Sequence, residues 1–137
     1  MGYEILEHTA DIGLKVIECS LQDLFITAAE GMTSLLVEGK IQGKDTIEII
    51  LQGESWEELF HDWLSEINYF FLVKQKIFQK FLFLELSPFR LKAICYGESC
   101  DPDRHTYLNE IKAVTYHRLK IIQEKTHLWS VQVYFDL

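Results

Sequence analysis

The sequence predicts an α+β fold in a single domain over residues 1–137: two amphipathic helices packed on one face of a mixed, largely antiparallel sheet. Three observations predict it. Two stretches carry apolar residues at three-four spacing, each behind a serine that an acid follows three residues later, the signature of a capped helix start. Several runs of four to ten residues alternate apolar and polar, as half-buried strands do. Both helical stretches fall before residue 75 and almost everything after it is strand-like, the segregation that distinguishes α+β from alternating α/β proteins.

The elements follow in order. Residues 3–6 (YEIL) read as a short strand, and the polar loop 7–13 (EHTADIG) leads to a second strand at 14–19 with Leu14 and Val16 on one side. Ser20 caps a helix whose apolar stripe is Leu21, Leu24, Phe25, Ala28, Ala29, Met32, Leu35 and Leu36, with Gly39 as the stop. Residues 45–52 are a strand with Ile47, Ile49 and Leu51 on one face. Ser55 and Glu58 open the second helix, and its stripe of Trp56, Leu59, Phe60, Trp63, Leu64, Ile67, Phe70 and Phe71 is core material rather than a cofactor box. Strands are expected at 77–86 and 90–98. A charged loop, SCDPDRHTY, follows, then a long strand at 109–122, a turn at 123–127 and a closing strand at 128–137.

Composition bounds the function. With 48% hydrophobic and 13% aromatic residues, the 137-residue chain can bury a sizeable core, and it contains no linker, repeat or low-complexity tract. Thirteen Lys and Arg against 21 Asp and Glu give a net charge of −8. Phosphate backbones repel such a domain, so stand-alone nucleic-acid binding is disfavoured; no basic cluster appears in the sequence, although folding could assemble a local basic face. The three cysteines form no CxxC pair, which argues against a disulfide framework or a cysteine zinc site. The N-terminal residues carry acids and no apolar signal core, and the apolar stretch 56–73 is broken by Glu, His, Asp and Asn, so no membrane span is expected. A cytoplasmic protein is the expectation.

Polar chemistry gathers in four places: His8, Thr9 and Asp11; Glu98, Asp101, Asp103, Arg104 and His105; Lys112, Thr115, Tyr116 and His117; and Asp136 beside the terminal Leu137. Each alone has an ordinary explanation. Asp11 before Gly13 is turn chemistry, His8 a hydrogen-bonded loop histidine, the charged loop solvated, Lys112 an edge gatekeeper and Asp136 a terminal acid. Together they point to a site. Strand alternation would put Lys112, Val114, Tyr116 and Arg118 on one face and Ala113, Thr115, His117 and Leu119 on the other, with polar groups on both. No GxSxG, P-loop or HExxH motif occurs, whereas carboxylates with scattered histidines suit a hard divalent cation held through oxygen.

The segments EHTADIGLKV, LFITAAEGMTSLL, WLSEINYFF, GESCDPDRHTYLNEIKAVTYHRLKI and the terminal FDL resemble the archease family, in the right order and across nearly the whole chain. The resemblance implies a small α+β accessory protein, not itself an enzyme, that assists RtcB-type RNA ligases in tRNA splicing and RNA repair. It would promote guanylylation of the ligase histidine and allow repeated turnover. It also implies a divalent-metal site, with calcium the expected ion and magnesium or manganese possible. The site would be made by Asp11, Asp136 and the main-chain oxygen of Leu137, with Lys112 as the residue needed for activity. His117 and His8 are further candidates for activation, although a buried, hydrogen-bonded role for His117 is an equal alternative. The partner is then the ligase, with RNA contacted only indirectly or weakly and no membrane. Two rivals stay open: a stand-alone metal-dependent phosphoesterase using Asp11, His105, His117 and Asp136, and a chaperone or RNA-binding module.

Overall fold

The computed structural model describes residues 1–7 and 11–137. In chain order these form β1 (Gly2–Glu7), β2 (Asp11–Glu18), α1 (Leu21–Leu36), β3 (Val37–Glu38), β4 (Asp45–Gln52), α2 (Trp56–Lys74), β5 (Lys76–Ser87), β6 (Arg90–Ser99), β7 (Thr106–Tyr107), β8 (Ala113–Val114), β9 (Ile122–Lys125) and β10 (Leu128–Asp136). The α+β class and both helices are as the sequence predicts. The strands, however, make three sheets rather than one: β1-β2-β10-β8 with β9 also on β10, β4-β6-β5, and the small β3-β7 pair. Every pairing among the described strands is antiparallel.

Each helix starts where its serine can accept from the backbone. Ser20 Oγ takes the Asp23 N–H at 3.1 Å and Ser55 Oγ the Glu58 N–H at 3.1 Å. The Glu58 carboxylate reaches back to the Glu54 N–H at 3.4 Å, one residue before the cap. Helix α1 covers the inner face of β1-β2-β10, where Leu14, Val16 and Val133 are fully or nearly fully buried, and α2 covers β4-β6-β5. The helices also touch each other, so one core runs through both layers. Trp63 sits at its centre, its indole N–H donating to the Phe25 carbonyl at 3.0 Å and its ring edge-on to Phe81 and Phe83. Burying side chains of this size, at about 1.5–3 kcal/mol each, holds the helices in place far more than their intrinsic propensity does.

The long strand expected at 109–122 does not form. Only Ala113–Val114 joins a ladder there, and Ile122–Lys125, of which all but Ile122 was expected in a turn, is a separate strand that makes a hairpin with β10. Helix α2 holds the segment on the side away from β10. Its side chains take the carbonyls that a second strand neighbour would need: Asn68 Nδ2 donates to Ile111 O at 2.8 Å and His61 Nε2 to Val114 O at 2.7 Å. The chain then turns at Arg118, whose φ is 54°, and the Leu119 N–H closes on Tyr116 O at 3.1 Å. The face assignment for residues 112–119 fails with the strand: Val114 is buried, whereas Lys112, Ala113, Tyr116, His117 and Arg118 are all exposed.

Candidate functional site: an acid pair at the joined ends of the chain

The alternation of β2 buries Ile12, Leu14 and Val16 against α1 and turns Asp11, Gly13 and Lys15 to the opposite face. Strand β10 does the same with Val131, Val133 and Phe135 inside, leaving Gln132, Tyr134 and Asp136 outside. The two strands pair in a register that sets Asp11 directly across from Asp136. Directly opposed residues in an antiparallel ladder project to the same side with Cβ atoms about 4.5–5.5 Å apart, and like charges in that relation repel. Residues 125 positions apart in sequence therefore meet as two carboxylates on one open sheet face.

Lys112 is tied to the same place through its backbone. Its N–H donates to Asp136 O at 2.8 Å, one step before Ala113 pairs with Asp136 in register. Its side chain belongs elsewhere: it lines a groove of about 350 Å³ along α2, with His61, Ser65, Asn68 and Tyr69. The acid pair and the lysine thus share one strand end but look out on different sides of it. His61 orders this segment, stacking on Tyr116 with ring centroids 3.9 Å apart while its Nδ1 lies 2.9 Å from Asp62 Oδ1.

The next rung pairs Gly13 with Tyr134. The Tyr134 ring lies across the glycine: a Cβ on Gly13 would stand 2.8 Å from two of its ring carbons, so only glycine admits it. Tyr134 is 7% exposed, and its hydroxyl donates to Gln132 Oε1 at 3.3 Å. The His117 ring stands edge-on to it, 5.6 Å between centroids. Asp11, His117, Arg118 and Tyr134 wall a hollow of about 260 Å³ beside the acid pair. His117 is exposed at that rim, not buried as one of its two sequence-based alternatives would have it. Leu137 follows Asp136 and is partly exposed, whereas His8 and Thr9 lie outside the described residues.

The acidic cluster of residues 98–105 is a different object. Glu98 is 4% and His105 3% exposed. Glu98 accepts from both Arg104 terminal nitrogens and from the Gln42 N–H at 2.6 Å. Mainly the Arg104 hydrogen bond, with help from Gln42 and against the burial that opposes it, holds its carboxyl below the usual glutamate range. His105 Nδ1 accepts the Asp101 N–H at 2.9 Å and Nε2 donates to Lys40 O at 2.8 Å. Both ring nitrogens are spent on the backbone, so His105 is a clamp between two loops and drops out of the phosphoesterase set. Gly39, at φ 122°, lets the Arg104 carbonyl approach to where a Cβ would stand.

Two carboxylates face one another at Asp11 and Asp136, a set that suits calcium, magnesium or manganese. Among the described residues no group of three or more His, Cys, Asp or Glu gathers to hold an ion, so any cation here would complete its shell with main-chain oxygens and water. Cys95, a nucleophile by residue type, is fully buried, and burial pushes its thiol up to about 12. His61, Asn68, Gly13 and Tyr134 went unrecognised in the sequence. The signal was present for two of them: His61 and Asn68 are seven apart, two turns along one side of an amphipathic helix.

Fold and site together define a small α+β protein whose second and last strands meet in a cross-strand acid pair. The chain belongs to the archease family: the family model described as "Archease protein family (MTH1598/TM1083)" matches residues 3–137. It is 38% identical to the protein archease of Methanosarcina acetivorans, over 98% of this chain and 95% of that one. It is 33% identical to the protein archease of Methanopyrus kandleri, over the full length of both. Among solved structures, protein 1598 of Methanobacterium thermoautotrophicum superposes with a TM-score of 0.79 at 26% identity, over 99% of each chain. An archease of Thermotoga maritima, described as a possible chaperone, shares the fold at a TM-score of 0.65 and 22% identity. No described helix is long and apolar enough to cross a membrane.

Proposed function

We propose that this archease is an accessory protein of an RtcB-type RNA ligase, promoting guanylylation of the ligase and its repeated turnover. One observation supports the reading above the others. The three residues that the family motifs single out, Asp11, Lys112 and Asp136, converge on one strand end through ladder register and the Lys112 N–H to Asp136 O bond. Asp11 and Asp136 would hold a divalent cation with the main-chain oxygen of Leu137, calcium being the ion expected. When bound, the ion would neutralise the two facing carboxylates and present positive charge to a phosphate or acidic group of the partner. The residues themselves do simpler things. The carboxylates bind, Tyr134 over Gly13 fixes the rung beside them, and His61 and Asn68 hold the segment that carries Lys112. Lys112 is then free to extend its ammonium from the groove to a phosphate or a carboxylate of the partner. Guanylyl transfer is governed by orientation and charge neutralisation, both of which an accessory surface can supply without forming a covalent bond. The test is guanylylation at limiting ligase with and without this chain: stimulation beyond one turnover per ligase is expected, and no stimulation would refute the reading. Generic phosphoesters should survive incubation with the chain alone.

A further inference from the structure

We propose that the outer face of β2-β10 carries an anion site for a compact oligophosphate, such as the phosphate tail of a nucleotide, formed by Lys15, Arg118 and Lys120. The chain is acidic overall, with a net charge of −8. Folding nevertheless brings these three cations to one concavity of about 370 Å³, whose wall also includes Gln132 and Ser130. They come from separate places: Lys15 from mid-β2, where it pairs in register with Gln132, and the other two from the turn after β8. None of the three forms an ion pair among the described residues, although Glu4 faces Lys15 across the β1–β2 ladder. Glu124, the carboxylate in the wall, is engaged by the Ser130 hydroxyl at 2.7 Å. Three unpaired cations against one hydrogen-bonded carboxylate leave the concavity positive.

The backbone reinforces this. Arg118 is held at φ 54°, a left-handed conformation unusual for a residue with a side chain. That turn puts Arg118 in the wall of two hollows at once, the cationic one and the smaller one shared with Asp11, His117 and Tyr134. An anion bound at Arg118 would therefore lie beside the acid pair. The shape selects the ligand class. A single-stranded nucleic-acid track needs an extended groove with aromatic platforms for the bases. This concavity is short and no aromatic ring lines it. Clustered cations in a small volume match clustered negative charge, which linked phosphates provide.

The site is independent of the ligase reading and is tested without the ligase. The full chain is titrated calorimetrically with tripolyphosphate at low salt and in chelator, so that no metal ion bridges phosphate to the acid pair. Wild type should bind, and the Lys15→Gln/Lys120→Gln double variant should bind at least about tenfold more weakly. A Lys40→Gln/Lys44→Gln control removes the same charge from an exposed loop and should bind like wild type. Guanosine triphosphate should compete with tripolyphosphate. Failure of wild type to bind, or an equal loss in the control, would overturn the site. Tighter binding of a single-stranded RNA oligomer than of tripolyphosphate would overturn the ligand class.

Discussion

Replacing Gly13 by alanine separates a packing role from ordinary strand propensity. On propensity alone the change should stabilise, since alanine lowers the entropy of the unfolded chain by an amount equivalent to about 0.4–1 kcal/mol. The structure predicts the opposite. The new Cβ would stand 2.8 Å from Tyr134 Cδ1 and Cε1 and 3.2 Å from the Val133 carbonyl, and the ring, only 7% exposed, has little room to retreat. Overpacking of this kind costs about 1–3 kcal/mol, so the net effect is a loss of roughly 0.5–2 kcal/mol. In a domain of this size that lowers the melting temperature by roughly 2–8 °C. The assay is a thermal melt of Gly13→Ala in two backgrounds, wild type and Tyr134→Ala. The penalty should vanish or change sign once the ring is gone, a coupling that a double-mutant cycle reads directly. A Gly13→Ala protein at least as stable as wild type, or one equally destabilised in both backgrounds, would refute the packing account.

Three further outcomes are expected. Lys112→Ala should leave the melting temperature nearly unchanged, because the side chain is exposed, and should abolish stimulation of the ligase; full stimulation by the folded variant would remove Lys112 from the site. Asn68→Ala frees the Ile111 carbonyl next to Lys112, and should cost about 1–2 kcal/mol in urea melts and lower ligase stimulation as well, whereas unchanged values of both would show that α2 does not position that segment. Glu98, whose folded value is lowered chiefly by its Arg104 hydrogen bond, stabilises the protein above the unfolded glutamate range near 4.5 and loses that contribution as pH falls through the lower folded value. Glu98→Gln should therefore be less stable than wild type at pH 7 and converge toward it below about pH 4, by melts across pH; a constant gap would contradict the assignment.

Much of this molecule is legible in its sequence because local rules and tertiary demands agree. Ser20 and Ser55 cap where their spacing to Asp23 and Glu58 says they should, and residues 45–52 alternate and form β4 as expected. Residues 109–122 break the rule because their partners are distant. Nothing within that segment announces that Asn68 and His61, some forty to fifty residues earlier, will take two of its carbonyls. The division of the strands into three sheets is hidden for the same reason, since register over long separations is set by how the helices fill the space between. At the site, the resemblance singles out Asp11 and Asp136, but their direct opposition is a property of the β2–β10 register. Gly13 reads as turn chemistry in the sequence and proves to be a place for the Tyr134 ring. Arg118 and Lys120 are near neighbours in sequence, but nothing local tells that Lys15, about a hundred residues earlier, shares a concavity with them.

The central claim, that the two ends of the chain meet to hold a cation, is tested most directly by melting the chelator-treated protein against calcium or manganese. A ligand bound only by the folded state at 100 times its dissociation constant adds about 2.7 kcal/mol, which here raises the melting temperature by roughly 10 °C. The account predicts that rise in wild type and a flat response in Asp11→Asn, in Asp136→Asn and in the double variant. An equal metal response in wild type and in the double variant would contradict it.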